Sequence, residues 1–281
     1  MSCILSIDVE DWFHILDVDS TPDLAHWEEL PSRVERNFTR LLDLLDAKRV
    51  PATCFFLGWV ADRFPHLVLE ADRRGHEIAS HGYAHTLVYR MTPEAFYQDA
   101  RRARELLEKI VGRPVAGYRA PGFSVTEQTP WFFQKLHEAG YRYSSSVFPA
   151  ARGHGGLRAN RLEPYAVACD GAAITEVPIT VRRVLGKRIC FFGGGYLRLF
   201  PYRVIRDMTR SLLAEGRPVV FYVHPREIDP DQPRLAMGPA RRFKSYVNLR
   251  TTEDKLRRLL DEFEFTTFER YLADAPPAAE S

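Results

Sequence analysis

Apolar residues arrive in two alternating rhythms along this chain. "CILSID" is a short, nearly continuous apolar run of the kind required by a strand buried on both faces. After a loop, Val34, Phe38, Leu41, Leu42 and Leu45 recur at helical spacing and form one stripe. Ser32 and Glu35 are spaced as a capping box at the start of that helix. "ATCFFL" reads as a second strand, and "HLVLEADRR" as a helix stopped at Gly75, since a left-handed cap is unstrained for glycine. "HEIA" is a third strand and runs straight into His81.

The rhythm continues to the end of the chain. Thr92 as N-cap and Pro93 at the first helical position open a long helix with Phe96, Ala100, Ala103, Leu107 and Ile110 inward, closed by Gly112. "AGYRA" is a strand, "PWFFQKLHEAG" a helix and "YRYSSS" a strand; a looser stretch from Val147 to Gly171 leads to the strand "AITEVPIT". "YRVIRDMTRSLLAEG" and "VVFYVH" complete the series as helix and strand. Strands alternating with helices predict an α/β fold with a parallel sheet, and about seven such strands suggest an incomplete or distorted barrel. The helical "TTEDKLRRLLDEF" and the strand "FTTF" read as closing elements, so residues 1–272 are expected to form a single domain and 273–281 a frayed tail.

Composition narrows the function classes. The chain has 281 residues, 45% of them hydrophobic, enough for a sizeable core. Lysine and arginine number 39 against 37 acids, a formal charge of +2, which argues against a nucleic-acid footprint. No stretch approaches the roughly 20 apolar residues of a membrane span, and no basic, apolar leader opens the sequence. Cys3, Cys54, Cys169 and Cys190 are dispersed and read as reduced core thiols of a cytoplasmic protein.

Candidate chemistry lies at the ends of the strands. Asp8 ends the first, His81 follows the third, Arg119 ends the fourth, Ser144 lies at the fifth and His224 ends "VVFYVH". In a barrel the carboxyl ends of all strands share one face, so these dispersed residues are expected to converge. His81 and His85, four apart, could hold one metal if they share a turn, with a nearby carboxylate as third ligand. "SIDVEDWFH" offers three acids; strand alternation points Asp8 and Glu10 to the same side, and Asp11 replaces Glu10 if the chain turns early. Taken alone, each of these motifs also reads as a solvated loop. "CFFGGGYLRLFP" brings glycine backbone close to something, and Gly194 and Tyr196 could form a sugar-binding groove with Phe123 and Trp12. Arg182, Arg183, Lys187 and Arg188 suit either an anionic membrane surface or a solvated face.

As a set, these motifs resemble polysaccharide deacetylases of the NodB homology type, carbohydrate esterase family 4, and most closely the branch associated with exosortase A (PEP-CTERM) and exopolysaccharide clusters. The similarity runs from "SIDVEDWF" to "NLRTTEDKLRRLLDEFEF". The resemblance implies a distorted (β/α)7 barrel and a divalent metal, zinc in the first instance, with cobalt or another divalent ion open. It makes Asp8 the catalytic base and Glu10 or Asp11 the acidic ligand beside His81 and His85. Arg119 and Pro121 of "RAPGF" match the motif that holds the base in place, and His224 of "FYVHP" becomes the acid that protonates the leaving amine.

The implied reaction is removal of N-acetyl groups from N-acetylhexosamine units of an exopolysaccharide or its lipid-linked precursor, in the cytoplasm, with the inner face of the membrane left open as its place. Departures accompany the match. Ser144 stands where relatives often carry an aspartate that orients the catalytic histidine, Gly82 replaces a serine or threonine, and Arg226 replaces a tryptophan. Two other readings compete: hydrolysis of C–N bonds in small cyclic imides or ureides, and a glycan-binding module that has lost its activity. No G-x-S-x-G occurs, which disfavours a serine esterase.

Overall fold

A computed structural model of the protein describes residues 2–16, 18, 20–150, 156–157 and 161–274. Its strands are β1 Cys3–Val9, β2 Thr53–Phe56, β3 Glu77–Ser80, β4 Gly117–Tyr118, β5 Tyr143–Ser144, β6 Tyr165–Cys169, β7 Ala172–Glu176, β8 Arg182–Val184, β9 Lys187–Ile189, β10 Val219–Val223 and β11 Phe265–Thr266. Nine of them form one sheet in the order β10-β1-β2-β3-β4-β5-β7-β6, with β11 added to β1. Every pair is parallel except β6 with β7. The expected α/β fold is present as a curled half-barrel, since β10 and β6 remain edges among the described residues.

The apolar runs of the strands follow from burial on both faces. Alternation sends Cys3, Leu5, Ile7 and Val9 of β1 into the core beneath the helices, together with Cys54 and Phe56 of β2 and Phe221 of β10. Ile4, Phe55, Val220 and Tyr222 point to the concave side and pack with Phe123, Tyr143 and Phe148. Asp8 has the parity of Ile4, so it points to that concave side at the carboxyl end of its strand.

The helix Pro93–Val111 forms as its sequence predicts: Thr92 Oγ1 accepts from the Ala95 N–H at 3.2 Å, and Gly112 ends it at φ 69°. Phe96, Ala100, Ala103 and Leu107 are fully buried, each large side chain contributing roughly 2 kcal/mol of hydrophobic stabilisation. The capping box at Ser32 and Glu35 does not form. Arg33 occupies the N-cap of Val34–Lys48, Ser32 Oγ donates to Asp11 and Glu35 faces His66. Two further features escaped the periodicity. β6 lies antiparallel within the stretch read as loose, and β8 and β9 form a separate hairpin, where Arg182 pairs with Glu215 and Arg188 donates to the Pro149 carbonyl.

All four cysteines are free and buried, and burial pushes the Cys3 thiol up to about 12. No helix among the described residues is long and apolar enough to cross a membrane. The closing helix Phe268–Asp274 extends into the first two residues expected to fray; the remainder of that tail lies outside the described residues.

Candidate active site

Asp8 and Arg119 meet where β1 and β4 end. Arg119 is fully buried and donates from Nη1 to Asp8 Oδ1 at 2.7 Å and to Ser6 Oγ at 2.8 Å. Nε and Nη2 donate to the carbonyl and hydroxyl of Ser145, both at 3.2 Å, and the guanidinium lies 4.2 Å from the centre of the Phe55 ring. A guanidinium satisfied on all sides and roofed by an aromatic ring fixes the carboxylate it grips. Asp8 Oδ2 is left facing His224 Nε2 at 3.7 Å.

Glu10 lies just beyond β1 with its carboxylate aimed at both histidines of "SHGYAH". Its Oε1 is 2.9 Å from His81 Nε2 and 2.8 Å from His85 Nε2. Burial on its own would raise the Glu10 pKa; the nearby His85 and His224 outweigh burial and hold it well below the usual carboxylate range. His81 Nδ1 lies 2.8 Å from the Arg119 carbonyl, which can only accept, so Nδ1 carries a proton. In neutral His81 a lone pair on Nε2 therefore opposes the Glu10 oxygen, an arrangement that a shared cation relieves. The donor atoms of Glu10, His81 and His85 lie within 4.8 Å of one another, and all three residues are buried. This nitrogen and oxygen set suits zinc and neighbouring divalent ions.

The two histidines do not share a helical turn. The segment after β3 is a loop in which Gly82 adopts φ 73° and His85 φ 54°, a left-handed conformation strained for a histidine. Asp99 holds the loop by accepting from the N–H groups of Tyr83 at 2.8 Å and Ala84 at 3.1 Å. A Cβ on Gly82 would lie 2.9 Å from the Asp99 carboxylate, which explains glycine at this position.

His224 follows β10 and opens the short 3₁₀ turn Pro225–Ile228. Glu227, in the same turn, accepts from the His224 N–H at 3.1 Å and places Oε2 3.3 Å from Nδ1. Burial would lower the His224 pKa, but Glu10 and Glu227 outweigh it and keep it above the ordinary histidine value. Glu227 is itself held down to about 2: burial opposes this, and Arg198, in a buried ion pair, and His224 supply the charge. Ser144, by contrast, donates to Ser146 Oγ at 2.8 Å. The carboxylate partner of His224 thus comes from Glu227, and "HPRE" carried the only sequence signal, an acid three residues into a turn.

These groups open onto a cavity of about 330 Å³ lined by Asp8, Glu10, His85 and His224, with Phe123, Gly194 and Tyr196 also in its wall. Three expected site residues lie elsewhere. Asp11 is no ligand: its carboxylate accepts from Ser32 Oγ and from the N–H groups of Trp12, Arg33 and Val34, so it caps the helix that Ser32 was expected to cap. Trp12 is core, packed edge-on against Phe13 with Nε1 donating to the Pro31 carbonyl. Pro121 is buried and does not line the cavity, although Gly122 and Phe123 beside it do. The close approach at the triple glycine is to protein: a Cβ on Gly193 would lie 2.2 Å from the Tyr222 ring.

His14 also lines the cavity and was not anticipated. Its Nδ1 accepts from the Asp11 N–H at 3.0 Å, so Nε2 bears the ring proton, and that buried Nε2 has no hydrogen-bond partner. Burial holds its pKa well below the ordinary value, in keeping with a ring packed 4.3 Å from that of Trp27.

Residues 19–144 match the model of the polysaccharide deacetylase family, and residues 145–273 match that of a domain of unknown function. A peptidoglycan-N-acetylglucosamine deacetylase of Bacillus cereus is 31% identical over 103 residues, 37% of this chain and 46% of the relative. The match thus spans under half the length of that protein. Among solved structures, a probable polysaccharide deacetylase of Pseudomonas aeruginosa PAO1 superposes with TM-score 0.63 at 17% identity, covering 98% of this chain and 92% of the other. The allantoinase PuuE gives 0.62 at 17%, covering 99% and 91%. At such identities the likeness is one of fold.

Proposed function

We propose that this chain, whose residues 19–144 match the model of the polysaccharide deacetylase family, is a metal-dependent N-deacetylase whose site is built by Asp8, Glu10, His81, His85, Arg119 and His224. The observation that carries the reading is the meeting of Asp8, Glu10 and His224 across one cavity, with Glu10 bridging to the histidine pair. Glu10, His81 and His85 would hold the ion. Zinc or a similar divalent ion, when bound, supplies Lewis-acid polarisation of the acetamide carbonyl and makes water more acidic.

The remaining steps belong to side chains. Asp8, fixed through Oδ1 by Arg119, takes a proton from the attacking water at Oδ2. His224 faces the same space from Nε2 and gives its proton to the departing sugar amine, while Glu227 steadies the imidazolium from the Nδ1 side. His14 stands in the same wall, and its buried Nε2–H is unpaired. Phe123, Gly194 and Tyr196 are the proposed sugar contacts.

We extend the reading to an exopolysaccharide or lipid-linked precursor of the exosortase-associated type, handled in the cytoplasm at the inner membrane face, with residues 1–272 acting as one domain. The one-domain reading is supported by the sheet, in which β5 pairs with β7 and β1 with β10 across the junction of the two matched segments. The test is acetate release from N-acetylglucosamine oligomers by zinc- or cobalt-loaded protein, run beside ring opening of a cyclic imide. Absence of acetate release, with ring opening or oligomer binding intact, overturns the deacetylase reading.

A further inference from the structure

The cavity wall also carries basic residues. Arg198, Arg226, Arg241 and Lys244 all line it, and the acids within reach are committed: Asp8 to Arg119, Glu10 to His81 and His85, Glu227 to Arg198 and His224. Arg226 is the unusual member. Its Nε and Nη1 are buried and make no hydrogen bond, although its charge acts on His14, His224, Glu227 and Arg198. Arg226 is half-buried, and two guanidinium donors withdrawn from water with unmade bonds are destabilising unless a ligand completes them; the best complement is a planar or tetrahedral oxyanion. Arg226 stands two residues after His224 in the same short turn, so that oxyanion would lie on the reacting sugar or its neighbour.

We propose that the cavity selects an N-acetylated sugar bearing an oxyanion, either a carboxylate or a phosphate, and that Arg226 is the residue that binds it. The proposal rests on the deacetylase reading for the identity of the sugar, but the anion site itself stands on the two unpaired donors of Arg226, Nε and Nη1. Completing two charge-assisted hydrogen bonds at half-buried Arg226 corresponds to a preference of about 10- to 100-fold over the neutral sugar.

The test is calorimetric binding of N-acetylglucosamine, its 1-phosphate and N-acetylglucosaminuronic acid to the metal-loaded full chain, to Arg226→Gln and to Arg226→Lys. Anion preference in the wild type, lost in Arg226→Gln and partly restored in Arg226→Lys, supports the site; should the Gln variant fail to fold, a preference reduced in the Lys variant serves instead. Preference for the phosphate alone identifies a phosphate-linked substrate, and preference for the uronate alone an acidic polymer. Equal binding of all three sugars, or a preference untouched by both substitutions, overturns the proposal. Acetate release measured on the same sugars separates the two readings: turnover without anion preference removes only the Arg226 site, and anion preference without turnover removes only the deacetylase.

Discussion

His224 and Glu227 are bound into one unit by a single turn: the same carboxylate oxygen that accepts the histidine's backbone N–H at 3.1 Å sits 3.3 Å from its ring Nδ1. The opposite nitrogen looks across the cavity at Asp8 Oδ2 from 3.7 Å. One side of the ring is thus oriented and the other is directed at the reacting groups.

Glu227→Gln should therefore act through His224. The folded-state pKa of His224 is raised by Glu10 and Glu227 against burial, so removing one charge lowers it and shrinks the protonated fraction near neutrality. The alkaline limb of the kcat–pH profile should move to lower pH, with kcat at neutral pH falling about 10- to 100-fold. An unmoved limb would count against the pairing. Some loss of stability should accompany it, because Arg198 would keep a buried charge without its partner.

Metal and base separate in a pair of variants. His81→Ala should lose bound metal and turnover together, whereas Asp8→Asn should retain the metal and lose about 10²- to 10⁴-fold in kcat. Metal analysis of the purified variants beside acetate-release kinetics checks both; wild-type metal content in His81→Ala removes that ligand.

Asp11→Ala should be a stability variant. Its carboxylate caps the helix Val34–Lys48 from outside, and losing a cap costs about 1–2 kcal/mol. Denaturant melts should show the loss while metal content stays at the wild-type level.

Glu176 should make the fold pH-sensitive in an unusual direction. Burial pushes its carboxyl up to about 7, against the hydrogen bonds it accepts from the N–H groups of Val147 and Ser146. Between about pH 4.5 and 7 the native chain holds a proton that the unfolded chain has released, so stability falls as pH rises, by roughly 3 kcal/mol across the window. Glu176→Gln abolishes this dependence. Its stability advantage over wild type should be larger at about pH 8 than at about pH 5 in chemical denaturation.

The residues that could be read from the sequence are those whose position follows from the strand pattern. Asp8, His81, Arg119 and His224 sit at strand ends because apolar runs stop there, and a parallel sheet gathers such ends on one rim. Glu10 followed from alternation. The misreadings arise where a neighbour distant in sequence decides the outcome: Asp11 is claimed by the N–H groups of Arg33 and Val34, Trp12 by the core, and the triple glycine by Tyr222. His14 gave no periodic signal, since its role depends on a backbone N–H three residues back and on Trp27 and Trp59, whose rings pack tilted and edge-on around it.

The junction between the two matched segments falls beside Ser144, and there the chain passes through a continuous sheet, Ser144 standing opposite Glu176. Neither segment is an appendage of the other. With Asp8 and Glu10 at the end of the strand ahead of it, the first contributes the histidine pair and the arginine clamp, and the second contributes His224, its acidic partner, Arg226 and the glycine-tyrosine wall. Cutting the gene at that point would yield two fragments with raw hydrogen-bonding edges and half a chamber each. Grafting a foreign second segment onto this first one would reset which sugar is admitted and replace the proton donor in the same stroke, so the two properties should be inherited together.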